Sequence, residues 1–301
     1  MTMEPLGTVM VDVNHQTQWL LHSPSRGAFI TGDENDAFAV TPTTPVKVSR
    51  LDRGQKAGAW NLPLPEPLID EVLQQPWHGF KFLDRAAYAN VESDLLRTLV
   101  FGPDYGLPVL HPGIGAILSF RSNAMQLLAR EGDTLKPIEK TKPRGKQALC
   151  FAAHPTEPLV VYGDNFGTFT AHRFEPTAFG KATKVVAKER NASRAEFVDG
   201  GTKLLLGGMG YLALFGYEGG KFTPLHEVSV AVRDFLVIDA QTVLVNHGMN
   251  GVSLYRYAGG FTKLADATPG DPAHIVAVAP GGKQFAVTHQ GVPKISVYRV
   301  G

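Results

Sequence analysis

The chain alternates between short apolar runs and polar punctuation along its whole length. The clearest stretch is 273–300, AHIVAVAPGGKQFAVTHQGVPKISVYRV, with three apolar or alternating runs. Pro280-Gly281-Gly282-Lys283 separates the first two, and His289-Gln290-Gly291-Val292-Pro293 the second pair. Short runs rich in Val, Leu, Phe and Tyr, bounded by Gly, Pro and Asp, read as β-strands. The same order recurs upstream in 232–257, in 193–217 and in 147–174. A fourth run follows in three of these, at 181–189, 221–228 and 261–267. Upstream, 106–140 and 16–51 repeat the pattern, and TGDENDAFAV aligns with YGDNFGTFTA. The segment 53–103 is the poorest copy; AGAWNLPL, GFKFLDR, AAYANVE and LLRTLVF are its expected strands.

Four strands every ~40–45 residues is the spacing of a propeller blade. The expected fold is therefore all-β: one domain over 1–301, a seven-bladed β-propeller of four-stranded antiparallel blades. The blades fall at about 15–52, 53–103, 104–143, 145–189, 190–229, 230–269 and 270–301. The last unit is one strand short, and the chain opens with a surplus strand, LGTVMVDV at 6–13. An unpaired strand edge leaves N–H and C=O groups unsatisfied, so 6–13 is expected to complete the last blade and close the ring. PEPLIDEVLQQP (65–76) reads as an insertion with one or two helical turns.

VAVAPGGKQFAVTHQGVPKISVYRV resembles the repeat of WD40 and YVTN propellers, including the 6-phosphogluconolactonase-like group. The likeness is good over 273–300 and fair over 147–257; the Trp-Asp and Gly-His pairs of WD40 repeats are missing from the matching positions. The resemblance implies a fold and no particular reaction, because these folds carry scaffolds, lactonases and other enzymes alike.

Composition narrows the function classes. The chain has 301 residues, 44% hydrophobic and 19% charged, which is ordinary for a globular core. A net charge of +1 gives no global attraction to nucleic acid or anionic lipid. One cysteine, Cys150, excludes an internal disulfide framework and suits a reducing compartment. The first residues lack a basic region followed by an apolar stretch, and no run approaches the ~18 apolar residues of a membrane span. A soluble, cytoplasmic protein is expected.

In such propellers the turn between the second and third strands of each blade opens on one face near the channel. That face is expected to gather Asp33, Glu34, Asn35, Asp164, Asn165, Met209, His247, Asn250, His289 and Gln290. Carboxylates beside neutral imidazoles suit a divalent ion. The plainer alternative is turn chemistry, in which Gly supplies positive φ and Asp or Asn satisfies local N–H groups. No two of these residues have a diagnostic ligand spacing, so neither a metal nor another cofactor is expected, with a divalent ion as the alternative.

His111 and His154 each precede a proline at the end of a first strand. Lys136, Lys140, Lys142, Arg144 and Lys146, with Lys181, Lys184, Lys188 and Arg190, offer a basic patch or a solvated edge. Gly-x-Ser-x-Gly, P-loop and dinucleotide fingerprints are absent. Cys150 reads as a packing residue. Leu68, Ile69, Val72, Leu73 and Trp77 in and after the insertion offer an apolar face for its own blade or for a partner.

The favoured reading is a non-enzymatic binding or scaffold propeller. It is expected to be monomeric within a protein complex, contacting partners through one face and the 65–76 insertion, with no nucleic acid and no membrane. The alternative is a lactonase-like enzyme using Asp33, Asp164, His247 and His289 on a metal or as acid and base.

Overall fold

A computed structural model describes residues 1–52, 64–88, 106–121, 124–141, 147–188 and 191–301. Most of AGAWNLPL, all of LLRTLVF, and Lys142, Arg144, Lys146 and Arg190 lie outside the described residues. Contacts divide the chain into two compact units, and each is taken by itself.

The first unit holds the N-terminal sheet and the two C-terminal ones. Strand β1 (Met3–Met10) opens the chain. Strands β2 (Trp19–Ser23), β3 (Ala28–Gly32), β4 (Ala37–Thr41) and β5 (Lys47–Arg50) form an antiparallel meander. Helix α1 (Glu66–Leu73) follows.

The second unit holds three sheets. The first runs β10-β9-β8-β7-β6, from β6 (Lys81–Phe82), β7 (Val109–Leu110), β8 (Ile117–Arg121), β9 (Ala124–Glu131) and β10 (Thr134–Thr141). The next is β11 (Ala148–Ala153), β12 (Leu159–Asp164), β13 (Thr168–Glu175) and β14 (Ala178–Ala187). The third is β15 (Ala192–Val198), β16 (Lys203–Gly208), β17 (Tyr211–Glu218) and β18 (Lys221–Val228).

Back in the first unit, β19 (Asp234–Val237), β20 (Thr242–Asn246), β21 (Val252–Arg256) and β22 (Thr262–Ala267) make one sheet. The last strands are β23 (Ala273–Val278), β24 (Gln284–His289) and β25 (Val292–Val300). Strand β1 pairs antiparallel with β25, Met3 opposite Val300 and Met10 opposite Lys294, so this sheet runs β1-β25-β24-β23. The surplus first strand does complete the short last unit, over Met3–Met10 where 6–13 is expected.

The described residues thus form six antiparallel sheets of four or five strands. Second strands are buried on both faces: β3, β12 and β20 are buried throughout. This is why they read as continuous apolar runs rather than alternating ones. Outer strands such as β5 and β18 are almost wholly exposed. Pro5, Pro137 and Pro224 all sit on outer strands, where a missing N–H donor costs no ladder bond. Five of the outermost pairs also shift register, for example between Pro137 and Glu139, which twists the edge away from foreign strands.

Core side chains fill the seams between neighbouring sheets of a unit. Cys150, Val161 and Phe169 interdigitate with Leu204, Leu206 and Phe215. Phe29, Phe38 and Val40 meet Ala286, Ile295 and Val297. Each fully buried large side chain contributes roughly 1.5–3 kcal/mol of transfer free energy.

The poorest copy departs most from expectation. GFKFLDR supplies only two strand residues, and they pair with β7, joining the following sheet instead of one of their own. AAYANVE begins in a 3-10 turn at Arg85–Tyr88. Tyr88 explains this: buried, it donates its hydroxyl to Pro108 O at 2.7 Å and accepts from Leu83 N at 2.8 Å. Just before, Trp77-His78-Gly79-Phe80 folds into a two-residue turn with positive φ at His78 (50°) and Gly79 (84°). The Trp77 and Phe80 rings pack on Phe120 at 6.0 and 5.2 Å.

The insertion forms a helix over Glu66–Leu73, shorter than 65–76. Leu68, Ile69, Val72 and Trp77 are buried and Leu73 is half-buried. The chain itself covers the helix's apolar stripe, so those five residues do not form the free docking face that the sequence suggests. Glu71 also holds the first sheet, accepting from Ser23 Oγ (2.6 Å) and Ser25 N (2.9 Å).

Candidate functional site

The expected site residues do fall in the turns between second and third strands. Asp33–Asn35 join β3 to β4, Asp164-Asn165 join β12 to β13, and Met209 sits between β16 and β17. His247 and Asn250 lie between β20 and β21; His289 ends β24, and Gln290 follows it. The repeat register was therefore readable. The fate of the side chains was not.

Asp33 is buried, and its Oδ1 accepts from the backbone N–H groups of Asn35 (2.8 Å) and Asp36 (2.9 Å). Asp164 is also buried, and its Oδ1 accepts from Phe166 N and Thr168 N, both at 2.9 Å. Both carboxylates turn back on their own loops and close Asx-type turns. Asn165 likewise accepts from Gln147 N at 3.3 Å, while Glu34 and Asn35 are exposed.

The two histidines are bound in the same conservative way. His289 is fully buried; its Nδ1 lies 3.3 Å from Asp271 O and its Nε2 2.9 Å from Ser296 Oγ. Burial, above all, pushes its pKa below the usual histidine value. Ser296 Oγ in turn lies 2.9 Å from Thr8 Oγ1 on the outermost strand. His247 Nε2 lies 2.8 Å from Ser253 Oγ, and Ser253 donates to Asp266 Oδ1 at 2.6 Å. Each chain ties a turn to the third and fourth strands of its sheet.

His247, Ser253 and Asp266 have the residue types of a hydrolytic triad in the wrong order. In a triad the imidazole takes the serine proton and the carboxylate holds the imidazole. Here the buried serine donates its hydrogen bond to the carboxylate and not to the imidazole, which is not the triad arrangement. Among the described residues no three His, Cys, Asp or Glu side chains group to hold a metal ion.

The glycines before these turns have a different reason from the one the sequence suggests. Gly167, at φ 76°, does supply a left-handed turn residue. Gly163 ends β12 and needs its missing Cβ for packing: a methyl there would sit 2.5 Å from Ala192 Cβ and 2.9 Å from Cys150 Sγ. Gly32, at the matching place, would put a Cβ 1.9 Å from Asp36 O.

His111 and His154 form a second repeated device, within the second unit. His111 Nδ1 accepts from Gly113 N at 3.2 Å, and its Nε2 lies 3.3 Å from Leu159 O on the next sheet. His154 Nδ1 accepts from Glu157 N at 2.9 Å, and its Nε2 lies 3.2 Å from Gly201 O, one sheet further. An Nδ1 that accepts leaves the proton on Nε2, so both rings are neutral donors across a sheet seam. Desolvation lowers both pKa values, that of His111 to about 4. The two do not bond each other; each latches its own sheet to the next.

Beside exposed polar residues such as Glu34, Asn35, Asn250 and Gln290, the turns present three large apolar side chains to solvent. Phe166 is 51% exposed, Met209 58% and Met249 86%. Each occupies a second-to-third-strand turn, in three successive sheets. Met249 lies in the expected His247–Asn250 turn; Phe166 is not among the expected site residues, although an aromatic inside Asn165-Phe166-Gly167 is itself a signal, since turn tips are ordinarily polar. Nor is Arg233, which precedes β19 and donates from Nη1 to Gln290 Oε1 at 3.1 Å. Among the described residues no helix is long and apolar enough to cross a membrane.

No protein-family model matches the chain, and no curated protein matches it. Solved structures do. Saccharomyces cerevisiae Sqt1 is similar at 11% identity and a TM-score of 0.51, over 95% of this chain and 72% of that one. A chain of the Mitotic Checkpoint Complex is similar at 12% identity and TM-score 0.59, over 99% of this chain and 92% of that one. Chaetomium thermophilum Raptor is similar at 12% identity and TM-score 0.60, over 99% of this chain but 28% of its own. These neighbours are WD40 β-propeller proteins, and at such identities the likeness establishes the fold alone: this chain has the fold of a WD40-type β-propeller.

Proposed function

We propose that the chain is a non-enzymatic scaffold that binds a protein partner through its second-to-third-strand turns. The ring we propose has seven blades. It is a monomer that works inside a complex, in a reducing cytoplasmic compartment.

One observation carries the reading. The buried Asp33, Asp164 and His289 side chains are committed to their own loops and strands, whereas Phe166, Met209 and Met249 stand exposed at matching places. Exposed large apolar groups at loop tips are what a protein interface desolvates, and methionine adapts to the surface it meets. The similarity to a chain crystallised in the Mitotic Checkpoint Complex agrees with this role.

The test is affinity capture from native extract with quantitative mass spectrometry. The wild-type chain is compared with a Phe166→Ser, Met209→Ser, Met249→Ser variant. A Val48→Ser, Ile138→Ser, Leu225→Ser variant, altered on outer strands, is the control. Loss of specific partners from the turn variant alone is the expected result; identical partner lists for all three overturn the proposal.

A further inference from the structure

Arg233 stands apart from five other arginines among the described residues. Arg50, Arg130, Arg173, Arg194 and Arg299 each meet a carboxylate, at 2.5 to 3.3 Å. Arg233 is exposed and, among the described residues, its guanidinium donates to the neutral amide of Gln290, which uses one donor of the fork. No carboxylate of the described residues takes the rest of the fork.

The position is built. Buried Asn246 accepts from Gly248 N through Oδ1 (2.8 Å) and donates through Nδ2 to His274 O (2.9 Å). Its carbonyl accepts the Arg233 N–H at 2.8 Å. One residue thus fixes three elements: its carbonyl holds the Arg233 backbone, and its side chain holds the turn carrying Met249 and the start of β23. The Arg233 stem lies over that turn, since a Cβ on Gly248 would come within 3.8 Å of its Cδ. Gln290 belongs to the corresponding turn of the adjoining sheet.

The electrostatics point the same way. Partial desolvation, more than any neighbour, lowers the Arg233 pKa, and only Asp234 opposes it. Ion pairing raises those of Arg50 and Arg130. His274 is pushed down to about 4, by burial first and by Arg233 second. Its Nδ1 is buried without a partner, and so is Thr17 Oγ1. A half-desolvated cation beside a neutral imidazole is a site of positive potential that lacks an anion.

We infer that Arg233, with Met249 beside it, recognises an acidic residue next to an apolar one in a partner peptide, the guanidinium taking the carboxylate and the methionine the apolar side chain. The inference rests on the turn-binding reading and names its partner chemistry. A carboxylate fits better than a phosphate dianion: one guanidinium with a neutral histidine balances one negative charge, whereas phosphate readers assemble several arginines.

The test selects short random displayed peptides on the full chain. The recovered consensus is then synthesised with Glu, Gln or phosphoserine at the acidic position, and binding is read by anisotropy with a neutral dye. The expected consensus pairs Asp or Glu with Leu, Met or Phe, and the Glu peptide binds about tenfold tighter than the Gln peptide, as a charge-assisted contact in a partly desolvated site allows. Arg233→Gln abolishes that preference, and Gln290→Ala, which frees the fork, keeps it. A consensus without acidic residues, a Glu preference that survives Arg233→Gln, a phosphoserine peptide bound more than tenfold tighter than Glu, or recovery of no peptide each overturns the inference. The two readings separate through Met249→Ser. If non-acidic peptides depend on Met249, the turn interface stands and the role of Arg233 falls. If acidic peptides depend on Arg233 and ignore Met249, the carboxylate contact stands and the apolar turn reading falls.

Discussion

Replacing His111 with glutamine removes a titrating latch but keeps a side chain that both donates and accepts. The native ring is buried, accepts from Gly113 N and faces Leu159 O, and it packs edge-on against Phe174 at 5.2 Å. Protonation would break the Nδ1 contact and place a charge in the seam. Burial above all pushes the folded pKa down to about 4, from the ordinary histidine value of 6.5. Folded and unfolded chains are both neutral at His111 above pH 6.5, so its full contribution is present there. Between about 6.5 and 4 only the unfolded chain takes up the proton, and stability falls with pH; below 4 the loss is complete. The 2.5-unit gap corresponds to about 3 kcal/mol in total, and roughly 2 kcal/mol of it is lost between pH 7 and pH 5. At pH 7 the His111→Gln variant should be about 1–2 kcal/mol less stable, from lost ring packing and a poorer hydrogen bond. By pH 5 that deficit should close, because glutamine does not titrate. Urea unfolding of both proteins at the two pH values measures this difference, and other buried histidines such as His274 cancel from it. Parallel pH dependences of wild type and variant would refute the reasoning.

Two further substitutions probe the turns. Gly163→Ala should destabilise by about 1–3 kcal/mol, because its methyl overlaps Ala192 and Cys150 in a packed seam; an unchanged melting temperature would show that the seam has room. Asp164→Ala strips the acceptor from Phe166 N and Thr168 N and should cost about 1–3 kcal/mol in chemical unfolding, while Asp164→Asn, which keeps an oxygen acceptor, should recover most of the loss; equal losses would mean that the charge matters and the Asx turn does not.

The strands were legible because their signal is local. A run such as LVVYG is apolar at successive positions, and the Gly, Asp and Pro residues around it can only be turns. The pairing of β1 with β25 was also legible, by counting, since one unit lacked a strand and the chain began with a spare. The weak copy was not legible. GFKFLDR has strand composition, yet Tyr88 and the Trp77–Phe80 turn hold it to the following sheet.

By itself, then, the sequence determined the repeat, the strand order within five of the six described sheets, and which residues occupy the second-to-third-strand turns. Period-two alternation and turn chemistry act over a few neighbouring residues, so they survive projection onto one dimension. The tertiary structure alone decided what those residues do. Asp33 and Asp164 look alike in sequence to free carboxylates, but their oxygens are spent on backbone N–H groups of their own loops. Gly163 looks like a turn glycine, but the atoms that forbid its side chain come from Ala192 and Cys150, on other strands. The helix at Glu66–Leu73 looks like a free apolar face, but its face is covered. Arg233 looks like any surface arginine, and only the sheets that bring Asn246, Gly248 and Gln290 around it leave it desolvated without a carboxylate. For Gly163 and Arg233 the deciding contacts come from residues far apart in the chain, which no local pattern records, whereas Asp33 and Asp164 close turns with neighbours two to four residues away and needed the structure only to choose between two local readings.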